Sequence, residues 1–191
     1  MSTEAVETLP RVFPTVVHML ADAAARFPEQ TALICGSRSL SYTQYLRCVA
    51  GFAEELAGCG ARGGRVALVC ANSLDVPIAM FGAHAAGAQA VPINPTYTER
   101  ELGYILKDAD PIAVIYDAEV ASKVEPLAAA LGIVRKVRIG EGGRTLDVWK
   151  DDPERRLPEP WPSPDDLATL QYTGGTTGLP KASTLIIGRW R

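Results

Sequence analysis

A chain of 191 residues, 47% hydrophobic and with a formal net charge of −3, has the material for one large globular domain or a domain and a half. Its slight acidity excludes the electrostatic footprint expected of a partner to nucleic acid or to an anionic membrane surface. No apolar run approaches the ~18 residues of a transmembrane segment. The opening MSTEAVETLPRVFP pairs no basic stretch with an apolar one, so no signal peptide is expected and the default compartment is cytoplasmic. Cys35, Cys48, Cys59 and Cys70 stand 13, 11 and 11 residues apart, which fits no zinc or C-x-x-C pattern. Most have apolar neighbours, so buried reduced thiols are expected rather than disulfides.

In chain order, apolar residues at 16, 17, 20, 23, 24 and 27 form a helical stripe that Pro28 ends. TALICGSRSLSY reads as a hairpin turning at Gly36 and Ser37. Ser41 with Gln44 forms a capping box for a second helix, whose stripe is Tyr45, Leu46, Val49, Phe52, Ala53 and Leu56, closed by Gly58 or Gly60. RVALVC, QAVPIN and IAVIYD are short and nearly continuous apolar runs, as expected of strands buried on both faces. Between them, Ser73 is positioned to cap LDVPIAMFGAHAAG, whose small residues permit close packing. Thr98 with Glu101 caps RELGYILKDA. EVASKVEPLAAALG reads as a helix interrupted by Pro126. IVRKVRI reads as an edge strand that Arg135, Lys136 and Arg138 protect from strand addition.

This alternation predicts an α/β fold with a mainly parallel sheet and flanking helices, joined by right-handed crossovers. From 140 to 164 the pattern dissolves into glycines and then Pro153, Pro158, Pro160, Pro162 and Pro164, which reads as an exposed linker rather than core. LATLQYT then resumes as a strand. The expected organisation is a βαβ subdomain over 1–140, a linker over 141–164, and a strand, loop and tail over 165–191.

The loop that strand delivers lies within LQYTGGTTGLPK. Gly174, Gly175 and Gly178 allow backbone angles that a Cβ forbids and let N–H groups approach a ligand. Such N–H arrays make anion-binding concavities. Thr173, Thr176 and Thr177 add hydroxyls, and Lys181 adds a charge suited to phosphate. A flexible surface turn has the same composition. A P-loop is excluded, because Gly178 is followed by Leu179 and Pro180. A dinucleotide fingerprint fails too, for want of a following helix and distant acid.

The spacing resembles the phosphate loop of the AMP-forming acyl-activating enzymes, which include acyl-CoA synthetases, luciferases and the adenylation domains of peptide synthetases. Most members carry Ser where this chain has Gly174. The Gly-Gly form after Leu-Gln-Tyr is most similar to long-chain fatty acyl-CoA ligases. ALICGSRSLSYTQY and GGRVALVCANSLDVPIAMFGAHAAGAQAVPINPTYTERELGYILKDA resemble the N-terminal part of the same family. The resemblance implies the incomplete N-terminal part of an acyl-activating fold. It implies ATP and Mg²⁺, with CoA and a carboxylic acid of the fatty class as co-substrates. Thr173, Gly174, Gly175, Thr176, Thr177 and Gly178 would contact ATP phosphates, and Lys181 would be the loop's terminal lysine. No catalytic residue or protein metal ligand is assigned.

The tail departs from the family pattern: Ala182 replaces a glycine, and Ile186 and Ile187 stand where Thr-His is usual. The family's later motifs are missing, so the 191-residue chain reads as a fragment, inactive alone. LATLQYT and ASTLII should leave sheet edges exposed and promote self-association, relieved by deleting 167–191. The alternative is a non-catalytic module that binds a partner through its incomplete sheet. Asn72 and Asn94-Pro95 are explained by turn chemistry, His18 and His84 by packing, and Asp151-Asp152 and Asp165-Asp166 as solvated charges.

Overall fold

The structure, a computed structural model, describes residues 11–173 and 181–186. Thr15 caps α1 (Val16–Arg26) by accepting from the His18 amide. A small antiparallel hairpin, β1 (Thr31–Cys35) and β2 (Arg38–Ser41), turns at Gly36, whose φ of +59° suits a residue without a Cβ. The expected capping box opens α2 (Tyr42–Gly58). Ser41 Oγ accepts from the Gln44 amide at 3.3 Å, and Gln44 Oε1 accepts from the Ser41 amide at 3.1 Å. Then follow β3 (Arg65–Val69), α3 (Asp75–Ala85), β4 (Gln89–Ile93), α4 (Glu99–Ala109), β5 (Ala113–Asp117), α5 (Ala121–Ala130) and β6 (Arg135–Ile139). β7 (Leu167–Thr173) and β8 (Lys181–Ile186) complete the described chain.

The main sheet has the order β6-β5-β3-β4-β7-β8, parallel throughout except for the antiparallel β7–β8 pair. Strand alternation divides the core in two. Val66, Leu68, Ala90, Ile115 and Ile139 join a cluster with α1, α2 and α3. Ala67, Val69, Val91, Val114, Tyr116, Leu170 and Tyr172 join another with α4 and α5. Side chains pointing up and down the central strands are therefore both buried, as their continuous apolar runs require. Burying each large aliphatic side chain contributes roughly 1.5–3 kcal/mol. β6 alternates exposed and buried residues, as an edge strand with one covered face should. α2 and α3 approach closely at Gly82, where a Cβ would stand 2.8 Å from Phe52 Cδ1.

Four details differ from the sequence expectation. Ser73 does not cap α3: its N-cap is Leu74, with no side-chain hydrogen bond. The acid of the first turn, Asp75, is buried and turns outward from the helix to accept from the Leu146 amide. α5 continues through Pro126 as one helix. Of the cysteines only Cys48 is buried; Cys35 and Cys59 are exposed and Cys70 is intermediate, all as free thiols.

The fourth difference is the largest. Part of the expected linker packs onto the core. A short 3₁₀ helix, Leu146–Trp149, buries Leu146 completely. The Trp149 ring occupies the space that a Cβ at Gly51 would need. Arg144 pairs with Glu55 and lies over the Phe52 and Trp149 rings, and Arg38 bonds Asp147 at 2.7 Å. Farther on, Trp161 meets His18 edge-to-face at a centroid distance of 4.9 Å, which seats the proline-rich strap on α1.

Candidate functional site

Chain leaves β3 for α3 on one face of the sheet and β4 for α4 on the other, so a crevice opens beyond the carboxyl ends of these strands. Such switch points are where open α/β sheets bind ligands. A cleft of about 400 Å³ lies there, lined by Cys70 and Asn72 after β3, Asn94 and Tyr97 after β4, and Gln171 and Tyr172 on β7. Asn94 Oδ1 accepts from the Thr96 amide at 2.9 Å and its hydroxyl at 2.8 Å, so turn chemistry accounts for Asn94. Burial pushes the Cys70 thiol far above its ordinary range, and its Sγ lies 3.5 Å from the Ile115 carbonyl. It is an inert lining group.

β7 projects past this cleft. Thr173 and Lys181 are register partners in the β7–β8 pair, and Thr173 Oγ1 lies 3.5 Å from the Lys181 carbonyl. Both are exposed. Two of the expected phosphate contacts are thereby brought together at the two ends of one loop, a hydroxyl on one side and an ammonium-bearing residue on the other. Gly174, Gly175, Thr176, Thr177 and Gly178 lie outside the described residues.

Sequence reading missed the side chains that seat β7. The Tyr172 hydroxyl donates to Asp108 Oδ2 on α4 at 2.6 Å. Burial and that carboxylate both raise the phenol's pKa. From the opposite face, His84 Nε2 on α3 lies 3.0 Å from the Ala168 carbonyl. A carbonyl only accepts, so Nε2 carries the proton. Among the described residues His84 Nδ1 is buried without a hydrogen-bond partner, and burial lowers the imidazole pKa to about 4. The visible signal for both was a polar group in a buried pattern.

A larger cavity, about 690 Å³, lies at the opposite, amino ends of the strands, among Arg62, Arg65, Gln89, Asp110, Asp165 and Asp166. It is remote from Thr173 and Lys181, and its acids have structural work: Asp166 accepts from the Ser163 amide at 2.9 Å. Asp152 likewise accepts from Arg155 Nε at 2.9 Å. Among the described residues, no group of three or more His, Cys, Asp or Glu could hold a metal ion. Among the described residues, no helix is long and apolar enough to cross a membrane.

The comparisons with known proteins agree with this geometry. The model of the family described as AMP-binding enzyme matches residues 20–186. The chain is 32% identical over 169 residues to a medium/long-chain-fatty-acid–CoA/3-oxocholest-4-en-26-oate–CoA ligase of Mycobacterium marinum, covering 81% of this chain and 30% of that protein. It is 32% identical over 208 residues to a long-chain-fatty-acid–CoA ligase of Haemophilus influenzae, covering 92% of this chain and 37% of the relative. The crystal structure of the anthranilate CoA ligase AuaEII in complex with anthranoyl-AMP superposes with a TM-score of 0.80 at 27% identity, over 93% of this chain and 35% of that one. The chain thus spans about a third of the length of the curated relatives it matches. With the family model covering nearly all of the described sheet, the chain belongs to the AMP-binding enzyme family.

Proposed function

We propose that this chain is the N-terminal part of an AMP-forming acyl-CoA synthetase, and that residues 173–181 hold the phosphates of ATP. The observation that carries the reading is the position of the phosphate-loop signature: it leaves the carboxyl end of β7 beside the switch-point cleft, with Thr173 and Lys181 paired at its base. Thr173, Gly174, Gly175, Thr176, Thr177 and Gly178 supply hydroxyls and backbone amides, and Lys181 supplies positive charge. Holding the β and γ phosphates there fixes the nucleotide while its α-phosphate reacts, which is catalysis by positioning and charge stabilisation. Mg²⁺ bound with the nucleotide shares the phosphate charge.

In the complete enzyme, a carboxylate oxygen forms a bond to the α-phosphorus, and the bond to the bridging oxygen of pyrophosphate breaks. The acyl-AMP is then attacked by the thiolate of CoA at its carbonyl carbon, and AMP leaves. Fatty acids are the substrate class, supported by the names of the ligases at 32% identity. These residues alone supply no more than the phosphate end of that site. The purified 191-residue chain, given ATP, Mg²⁺, CoA and a panel of fatty acids, is expected to release no pyrophosphate above background. Acid-dependent release would overturn the division of labour. Binding of a protein partner without any nucleotide binding would favour a non-catalytic module instead.

A further inference from the structure

The strand that delivers the loop has the shortest register with its parallel neighbour, and most of its backbone pairing is with β8. β4 and β7 share one register pair, Ala90 with Thr169. β3–β4 and β5–β6 share five each. Side chains from both faces of the sheet take up the work. On the α3 side, the His84 Nε2 proton lies on the Ala168 carbonyl at the start of β7. On the α4 side, Asp108 Oδ2 accepts from Tyr172, the residue immediately before Thr173. His84 and Ala168 are only 5% and 8% exposed, so water competes poorly for their bond; the Tyr172 ring is buried, while its acceptor Asp108 is exposed. His84 also packs against the Phe81 ring at a centroid distance of 6.0 Å.

We propose that His84, Asp108 and the Tyr172 hydroxyl are positioning residues for the loop over 173–181. They act through β7, without touching a ligand. His84 sets the start of the strand, and the Asp108–Tyr172 bond sets its end, where a small displacement would move Thr173 and its register partner Lys181. Phosphate binding by backbone amides depends on such placement, because the donors must converge on one group. The inference rests on the nucleotide reading for its functional half and stands on the β7 geometry for its structural half.

The test uses the full chain and its variants Tyr172→Phe, Asp108→Ala, Asp108→Asn and His84→Phe. Amide hydrogen exchange is measured at Gln171–Thr173 and in β3 and β5, and MgATP binding is measured by nuclear magnetic resonance titration. Tyr172→Phe keeps the buried ring and removes only the hydroxyl, so folding is retained. It and Asp108→Ala are expected to speed exchange in β7 about tenfold with β3 and β5 unchanged, and to weaken MgATP binding about fivefold, the scale of one lost hydrogen bond. Asp108→Asn keeps a carbonyl acceptor and should recover most of both. His84→Phe should speed exchange at the start of β7. Unchanged β7 exchange in Tyr172→Phe and Asp108→Ala would overturn the clamp, whatever the wild-type chain binds. Faster exchange with unchanged MgATP affinity would overturn its positioning role. A wild-type chain that binds no MgATP would overturn the nucleotide reading, and the positioning role with it, while faster β7 exchange would still support the clamp.

Discussion

The central strands β3, β4 and β5 and the β7–β8 pair belong to one sheet but are held by different means. The central strands have regular parallel ladders, with side chains buried on both faces by two helical layers. β7 and β8 pair extensively with each other, yet β8 is exposed from Lys181 to Leu185. β7 seats itself through Ala168, Leu170 and Tyr172, one backbone register pair and two side-chain clamps. Stability is therefore concentrated in the central strands, away from the candidate site. Substitutions should sort accordingly into those that unfold the molecule and those that only loosen β7.

The largest effect is expected at Phe52, fully buried between α2 and α3. Phe52→Ala should cost about 3–5 kcal/mol, read as a drop in denaturation midpoint shared by all strands. Selective loosening of β7 by that variant would break the comparison.

The next effect is pH. His84 is neutral in the folded chain because burial lowers its pKa from 6.5 to about 4. The unfolded chain takes up a proton first, so this contribution to stability is intact above about pH 6.5 and shrinks as pH falls toward 4. The full loss is about 3 kcal/mol. Urea titrations of His84→Gln should show a flatter pH dependence over that window. An unchanged slope would remove His84 as its source.

A somewhat smaller effect should follow from Gly51→Ala, whose new methyl would collide with the Trp149 ring. The expected cost is about 1–3 kcal/mol, largely relieved when Trp149→Ala is added. Absence of relief would mean that the 3₁₀ segment is not packed as described.

The smallest effect concerns association. β8 is the terminal strand of the described sheet, and Leu185 is 51% exposed. Light scattering should show some self-association that Leu185→Lys reduces without changing the denaturation midpoint. Deleting 167–191 is no longer expected to help, because it would uncover the surfaces that Leu170 and Tyr172 bury. A monodisperse monomer insensitive to the lysine would remove the edge from the comparison.

Much of the fold was legible from local rules. Ser41 with Gln44 and Thr98 with Glu101 formed the capping boxes their spacing announced. RVALVC, QAVPIN and IAVIYD became strands buried on both faces. What was not legible depends on distant partners. Leu146 and Trp149 sit among glycines and prolines, and they pack on the core through distant residues, Asp75 for Leu146 and Gly51 for Trp149. His84 reads from sequence as a packed residue and Tyr172 as the end of a strand, because their partners lie 84 and 64 positions away. Pattern reveals that a side chain is buried, but not which carbonyl or carboxylate it meets. The loop was legible as a signature, and Thr173 and Lys181 at its two ends are register partners in the β7–β8 pair.

The central claim, that residues 173–181 hold nucleotide phosphates, is tested most directly by titrating the isotope-labelled chain with MgATP and following its amide resonances. Binding is expected at roughly millimolar strength, about −4 kcal/mol, since the hydroxyls, amides and single ammonium of one loop must offset the entropy of association with few contacts. Shifts should centre on Thr173 and Lys181 and weaken severalfold in Lys181→Ala. Shifts confined to Arg62, Arg65 and Gln89 at the opposite end of the strands, or none at all, would contradict it.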